Sequence, residues 1–373
     1  MTRTRCSICK REAPIAEVLP VCVECLRAER PAAEELIHQA HQWRKKIKLP
    51  VFPPQNSTGV KCTVCANNCT IPEDEQGYCG LRSNNAGKLE SEVSATQALM
   101  HYYLDPHVTN CCAAYFCPAG TGVGYPNSAY NAGPEYGYAN LAVFFYGCGF
   151  SCLFCQNASH KQISRAKHIT SNQFLSVIQD NPRISCVCYF GGSPEPQLPF
   201  TINVMERCNE LFNERILRQC LEMNGNATPS LMRRAGLLAA ESGGIIKFDL
   251  KAYSTSLNRA LCGVSNEMTL KNFSMLAETL QFENRSHPPL MATTLLVPYY
   301  VDEFEVAQIA KFIKELNQPS IEYSLLIFHP QHLMRDLPVT PLAQAQRCYD
   351  AAKEHLDKVN IGNLGLLDGR LRL

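Results

Sequence analysis

No apolar run in this 373-residue chain approaches the length of a membrane span, and its first residues, MTRTRCSICK, hold no apolar signal-peptide core. A membrane-spanning helix is therefore excluded and a cytoplasmic protein is expected. An excess of one charge is missing too. The 35 Lys and Arg stand against 34 Asp and Glu, a net of +1, so there is no basic footprint for a nucleic-acid partner. Charged residues are only 18% and hydrophobic ones 46%, which excludes a disordered chain and provides for a packed core.

What the sequence has in excess is cysteine, 20 residues of it. A reducing compartment disfavours disulfides, so cysteines at short spacings read as thiolate ligands for metal. Cys6-x2-Cys9 and Cys22-x2-Cys25 form two knuckles joined by the short apolar hairpin IAEVLPV. Four thiolates at that spacing close a tetrahedral zinc site, with an iron–sulfur cluster as the rival. A unit this small has too little core to fold without metal. Residues 61–82 supply Cys62, Cys65, Cys69 and Cys79, a thiolate-only set that suits zinc or an auxiliary cluster. Cys111, Cys112 and Cys117 either add ligands to such a cluster or line an active site. Cys186, Cys188, Cys208, Cys220 and Cys348 sit singly or in alternation inside apolar or helical runs, and read as small core residues.

The texture of the chain divides it into three. Residues 1–50 hold the two knuckles and a helix over 31–47, with Pro31 in its first turn. A Pro- and Gly-rich linker leads into residues 56–140, which are Cys-rich and loop-dominated, and which wrap another domain or enclose metal. From 141 to 373, short apolar strands alternate with amphipathic helices. The strands are 141–146, 184–190, 216–223, 245–250, 291–297 and 321–328. The helices start near Ser171, Phe200, Ser230, Glu267 and Asp302, with a last one capped by Thr340 and led by Pro341. This alternation predicts an α/β fold with a parallel sheet, a partial (β/α)6 TIM-like barrel carrying small Cys-rich N-terminal metal-binding modules. A doubly wound open sheet is the alternative. Polar and glycine residues gather just after the strands, where βα barrels carry their reacting groups.

After the first barrel strand comes FFYGCGFSCLFCQN, residues 144–157, with Cys148-x3-Cys152-x2-Cys155. Three thiolates on one loop hold three irons of a cubane and leave the fourth open to a ligand. On this motif the chain resembles the radical S-adenosylmethionine (SAM) superfamily, in the branch of the pyruvate formate-lyase activating enzymes. FGGSPEPQ (190–197) resembles that family's GGEP motif, with Ser193 as a departure. LEMNG (221–225) resembles its TNG motif, with Met223 in place of Thr. FDLK (248–251) resembles its DLK motif, and SLLIFHP (324–330) and NIGN (360–363) resemble its last strands.

The resemblance implies a 4Fe–4S cluster on Cys148, Cys152 and Cys155, with SAM contacted by Gly191, Gly192, Asn224, Asp249, Lys251 and His329. It also implies an external electron donor of the flavodoxin or ferredoxin kind. Because Met223 is a poor ligand for a hard cation, Lys247 is expected to place its ammonium near the SAM carboxylate. The implied activity is reductive cleavage of SAM and hydrogen abstraction from a substrate the motifs do not name. A glycyl-radical-enzyme activase acting on a partner protein is one alternative, and a non-enzymatic zinc scaffold with a degenerate barrel is another.

Overall fold

In the computed structural model, residues 4–283, 285–318, 320–367, 369 and 371 are described. The chain opens with a two-stranded hairpin, β1 (Thr4–Arg5) and β2 (Glu12–Ala13), which carries the first knuckle. IAEVLPV is not a hairpin but a turn, closed by the Leu19 amide on the Ala16 carbonyl. The second knuckle runs into α1 (Val23–Arg27), and α2 (Pro31–His41) follows with Pro31 in its first turn. The predicted helix over 31–47 changes to a 3-10 helix at Gln42. There the buried Arg44 turns inward, and its guanidinium donates to the carbonyls of Pro50 (2.6 Å) and Tyr78 (2.5 Å).

Residues 56–140 are less irregular than their composition suggests. They form β3 (Val60–Lys61), β4 (Thr70–Ile71), β5 (Arg82–Asn85), β6 (Lys88–Ser91) and the ten-residue β7 (Gln97–Pro106). After β7, residues 107–138 fold back through the short α3 (Pro118–Thr121). Two antiparallel pairs, β3 with β4 and β5 with β6, make the small sheets. β7 instead pairs antiparallel along β8 (Ala139–Phe145), and β9 (Lys167–Thr170) pairs antiparallel with β7. The main sheet thus takes in residues well before 141, so the second and third segments share it.

Beyond β9 the chain alternates as the sequence predicts. α4 (Ser171–Asp180) starts with a capping box between Thr170 and Gln173, satisfying two donors of the first turn. Then come β10 (Ile184–Gly191), α5 (Leu198–Leu211), β11 (Arg218–Met223), α6 (Pro229–Glu241) and β12 (Ile246–Asp249). Two helices follow β12, α7 (Thr255–Cys262) and α8 (Glu267–Thr279), of which only the second was expected. β13 (Leu290–Leu296), α9 (Glu303–Glu315), β14 (Glu322–Ile327), α10 (Leu342–Lys353) and β15 (Val359–Gly362) complete it. Thr340 does not cap α10. Its hydroxyl bonds the Leu296 carbonyl (2.7 Å) and receives the Phe328 amide (2.8 Å), so Pro341 takes the cap position.

The sheet order is β15-β14-β13-β12-β11-β10-β8-β7-β9, with seven parallel strands from β8 to β15. Their apolar runs are buried on both faces, as parallel sheets covered by helices require. The edges β15 and β9 do not pair, so the barrel is partial. One cavity of about 550 Å³ is nonetheless lined both by Asn360–Asn363 of the β15 edge and by the loop after β8, so the sheet curves round it.

The segment 107–121 closes the lower end of this curve. His107 Nε2 meets Ser185 Oγ (3.0 Å), and Ser185 donates to the buried Glu135 (2.6 Å). Glu135 is held in turn by a two-pronged ion pair from the buried Arg218 at the start of β11. Ala113 packs on Ile245 and Met291. The N-terminal module docks on the outside. α1 packs against α7, and the buried Tyr300 hydroxyl donates to the Leu19 carbonyl (2.8 Å) and accepts the Ala16 amide (3.0 Å).

Candidate active site

The loop after β8 carries Cys148, Cys152 and Cys155 over the carboxyl ends of the parallel strands, and the backbone around it dictates which residues fit. Gly191 ends β10 at a φ of +110°, and a Cβ there would lie 2.4 Å from the Phe145 nitrogen. A Cβ on Gly192 would strike the Gly147 carbonyl at 2.2 Å and the His160 ring at 2.7 Å. Both glycines are therefore required by the close approach of the cysteine loop, besides exposing backbone to the cavity. The loop is also pinned from below. The Ser151 and Leu153 amides donate to the Cys262 and Leu261 carbonyls at the end of α7.

One cavity brings together Cys148, Cys152, Cys155, Gly191, Gly192, Asn224, Asp249 and Lys251. Asp249 accepts the Thr293 hydroxyl and pairs with Lys251. Asn224 Nδ2 donates to Cys148 Sγ at 3.4 Å. Ser193 and Glu195, from the departing GGEP-like turn, bond each other and receive the amides of Asn224 (3.4 Å) and Asn226 (3.2 Å), which fixes the end of β11. His329 is exposed and is not among the residues lining the cavity. Lys247 lines the same cavity, with its ammonium on Glu222, Cys111 and Cys188.

Several groups at the site had no signal in the sequence. Lys161 and His160 lie on a short 3-10 helix without periodicity. Lys161 donates to the Phe150 carbonyl (3.2 Å), and His160 Nε2 sits 3.7 Å from Cys155 Sγ. Cys262, buried at the end of α7, hydrogen-bonds Cys152 and pulls that thiol down to about 7, with Lys251 and Lys161 also favouring the thiolate. Burial pushes Cys148 up to about 12 against the pull of Lys161. A bound metal's charge reverses such a penalty by holding the thiolate.

The thiol spacings separate two kinds of metal centre. Zn–S bonds of about 2.3 Å put tetrahedral ligands about 3.8 Å apart. Cys9 and Cys22 Sγ are 3.7 Å apart, and the sulfurs of Cys6, Cys9, Cys22 and Cys25 all lie within 4.8 Å of one another. The backbone amides of Cys22, Cys9 and Ile8 outweigh burial and bring Cys6 down to about 6. Among the described residues, Cys111, Cys112 and Glu222 form the other group this compact, whereas Cys148, Cys152 and Cys155 do not. The loop thiols do not converge on one point as ligands of a single ion do, and a set of this kind suits a cubane, where each thiolate takes its own iron. Cys62, Cys65, Cys69 and Cys79 do not converge in that way either. They are close enough that the neighbouring thiols help burial push Cys65 and Cys69 up.

Residues 142–284, which hold the cysteine loop and β8 to α8, match the model of the Radical SAM superfamily. Within that superfamily the chain resembles the activating-enzyme branch. Isethionate sulfite-lyase activating enzyme from Desulfovibrio desulfuricans is 29% identical over 140 residues, 37% of this chain and 40% of that protein. An uncharacterized protein of Methanocaldococcus jannaschii is 24% identical over 324 residues, 82% of this chain and 81% of its own length. Among solved structures, a domain of pyruvate-formate lyase-activating enzyme from Bacteroides vulgatus is similar over 48% of this chain and 98% of that one, with 20% identity and a TM-score of 0.38. No helix among the described residues is long and apolar enough to cross a membrane.

Proposed function

We propose that this chain is a radical SAM enzyme, with a 4Fe–4S cluster on Cys148, Cys152 and Cys155 and SAM in the adjoining cavity. The observation that carries the reading is the convergence on one cavity of three cysteines and the ends of β10, β11 and β12. When bound, the cluster and SAM supply one-electron cleavage to a 5′-deoxyadenosyl radical that abstracts hydrogen from a substrate. The chain's own residues hold and shield this chemistry. Gly191 and Gly192 offer backbone at the rim, and Asp249 and Lys251 offer an acceptor and a cation at the cavity wall. Lys161 and Lys251 lie close enough to the thiols to favour their ionised forms. A cavity of about 550 Å³ falls within the range that encloses small ligands.

The same reading assigns structural zinc to Cys6, Cys9, Cys22 and Cys25. It assigns an auxiliary iron–sulfur cluster to Cys62, Cys65, Cys69 and Cys79, supported by their not converging on one point. An electron donor of the flavodoxin or ferredoxin kind completes the reaction. The resemblance to the isethionate sulfite-lyase activating enzyme favours a partner protein as one substrate class.

The test is anaerobic reconstitution followed by reduction with SAM present. The protein should hold about eight iron, four at each cluster, and release 5′-deoxyadenosine. Cys148→Ala, Cys152→Ala and Cys155→Ala should each abolish release and remove about four iron. Undiminished cleavage in any one of them overturns the assignment. A wild type with about four iron would return the second site to zinc.

A further inference from the structure

The floor of the cavity is built from thiols that neither the cluster loop nor the zinc knuckles use. Cys111 and Cys112 come from the segment that plugs the lower end of the barrel. Glu222 comes from β11, one residue before Met223. Alternation along β10 and β11 turns Cys186, Cys188, Cys220 and Glu222 toward the same interior space. Cys186, Cys188 and Cys220 are therefore not plain packing residues, as their isolated positions in apolar strands suggested. They surround a buried polar layer directly beneath the SAM-facing groups.

We propose that Cys111, Cys112 and Glu222 form a further metal site, for a single divalent ion of the zinc class. Their ligand atoms all lie within 4.8 Å of one another. Cys111 Sγ is 3.8 Å and Cys112 Sγ is 3.7 Å from Glu222 Oε1. Bonds of about 2.3 Å to sulfur and about 2.0 Å to oxygen put tetrahedral S and O ligands about 3.5 Å apart, so both S–O separations are within a few tenths of an ångström of that geometry. Thiolates select a soft or borderline ion over magnesium, calcium or manganese.

Charge points the same way. The donor set already collects a cation, since the Lys247 ammonium sits on Cys111 Sγ (3.0 Å), Cys188 Sγ (3.4 Å) and Glu222. Two thiolates and a carboxylate carry three negative charges, and Lys247 offsets one. A divalent ion offsets the other two, taking the place of the protons the thiols otherwise carry. Cys188 lets Lys247 keep a partner beside the ion.

Three protein ligands leave a zinc-class ion with an open position, as catalytic rather than structural sites do. Cys111, Cys112 and Glu222 line the same cavity as Cys148, Cys152, Cys155 and Lys251. The open position therefore faces the space where the hydrogen is to be abstracted. It takes a substrate that carries a thiolate, imidazole or carboxylate, and holds it from below; this last step rests on the radical SAM reading, while the metal site does not.

The experiment is metal analysis of the full chain, purified anaerobically, with zinc counted in wild type, Cys111→Ser/Cys112→Ser and Glu222→Gln. The double variant should hold about one zinc fewer per chain, and Glu222→Gln should bind that zinc at least about tenfold more weakly. Crystals of the wild type should show anomalous density at the zinc edge between Cys111, Cys112 and Glu222. Should the double variant fold poorly, Glu222→Gln and the anomalous map decide. Equal zinc content and affinity in wild type and Glu222→Gln, or no zinc-edge density on the floor, overturns the site. SAM cleavage is measured on the same samples. Zinc on the floor without cleavage leaves the site standing and removes the radical SAM reading, and cleavage with no zinc there does the reverse.

Discussion

At the scale of single residues, the site depends on groups that touch the thiols rather than on the thiols alone. Asn224 was legible as part of an NG turn after a strand, but its role was not, because that role is a hydrogen bond to Cys148 Sγ. Hydrogen bonds to cluster sulfurs raise the reduction potential by stabilising the reduced, more negative state. Asn224→Leu should therefore make the cluster potential more negative while the iron count stays at the wild-type value. An EPR-monitored redox titration measures this, and an unchanged midpoint refutes it. Two histidines make a second residue-scale prediction. His41 and His287 are buried, each with Nε2 on a backbone carbonyl, of Ala260 and Gly243. Burial holds each down to about 4 from the ordinary 6.5. Because the folded pKa lies below the unfolded one, the unfolded chain binds more protons between these values. Stability is therefore full above about pH 6.5 and falls as the pH drops toward 4, by on the order of 3 kcal/mol per histidine. His287→Gln should flatten that decline in denaturant titrations across the window, and an equally steep decline would exclude His287 as its source.

Whole elements show what the sequence could and could not reveal. Most of the six strands were readable because both of their faces are buried, so apolar runs mark them, although β11 carries Arg218, Gln219 and Glu222. β7 was missed for the opposite reason. Beyond Met100 it is an antiparallel strand with mostly exposed or half-buried side chains, and HYYLDP carries no apolar run. α7 was missed because it is only eight residues long and follows a turn directly. The cluster loop was legible from spacing alone, whereas the floor was not, since it joins Cys111 and Cys112 to Glu222 across 110 residues of chain. Long-range polar networks of this kind also hold elements in place. Arg27 of α1 reaches Asp302 and Glu305, and the buried Glu305 receives the Tyr253 and Ser254 amides as well. Arg27→Ala leaves Glu305 buried without its cation and should cost about 3 kcal/mol in chemical denaturation. Glu135→Ala should cost at least as much, because Arg218 loses both prongs of its pair and the plug loses its anchor at Ser185. A loss below about 1 kcal/mol in either variant would show that water replaces the missing partner.

Across the whole molecule, the N-terminal module and the barrel share one core. Cys6, Ile15, Ala16, Leu19, Val21 and Leu26 belong to the same buried cluster as Leu257, Leu261, Tyr300 and Val301. The module has two residue pairs of hairpin and one short helix of its own. Conformational entropy over some thirty residues exceeds what so little regular structure offsets, so the proposed zinc at the knuckles is expected to hold its shape. Docking then links that metal to the rest of the chain, since Tyr300 can bond Ala16 and Leu19 only while their turn keeps its form. Removing zinc with a chelator should therefore act in two stages. Residues 1–30 should become sensitive to limited proteolysis first, with the far-UV circular dichroism of the barrel little changed. The thermal midpoint of the barrel should then fall by a few degrees, because Tyr300 and the face of α7 lose their cover. Cys22→Ser should reproduce both effects without chelator. If the chelated chain keeps residues 1–30 protected at an unchanged midpoint, the knuckles fold on their own contacts and the metal is not what holds them.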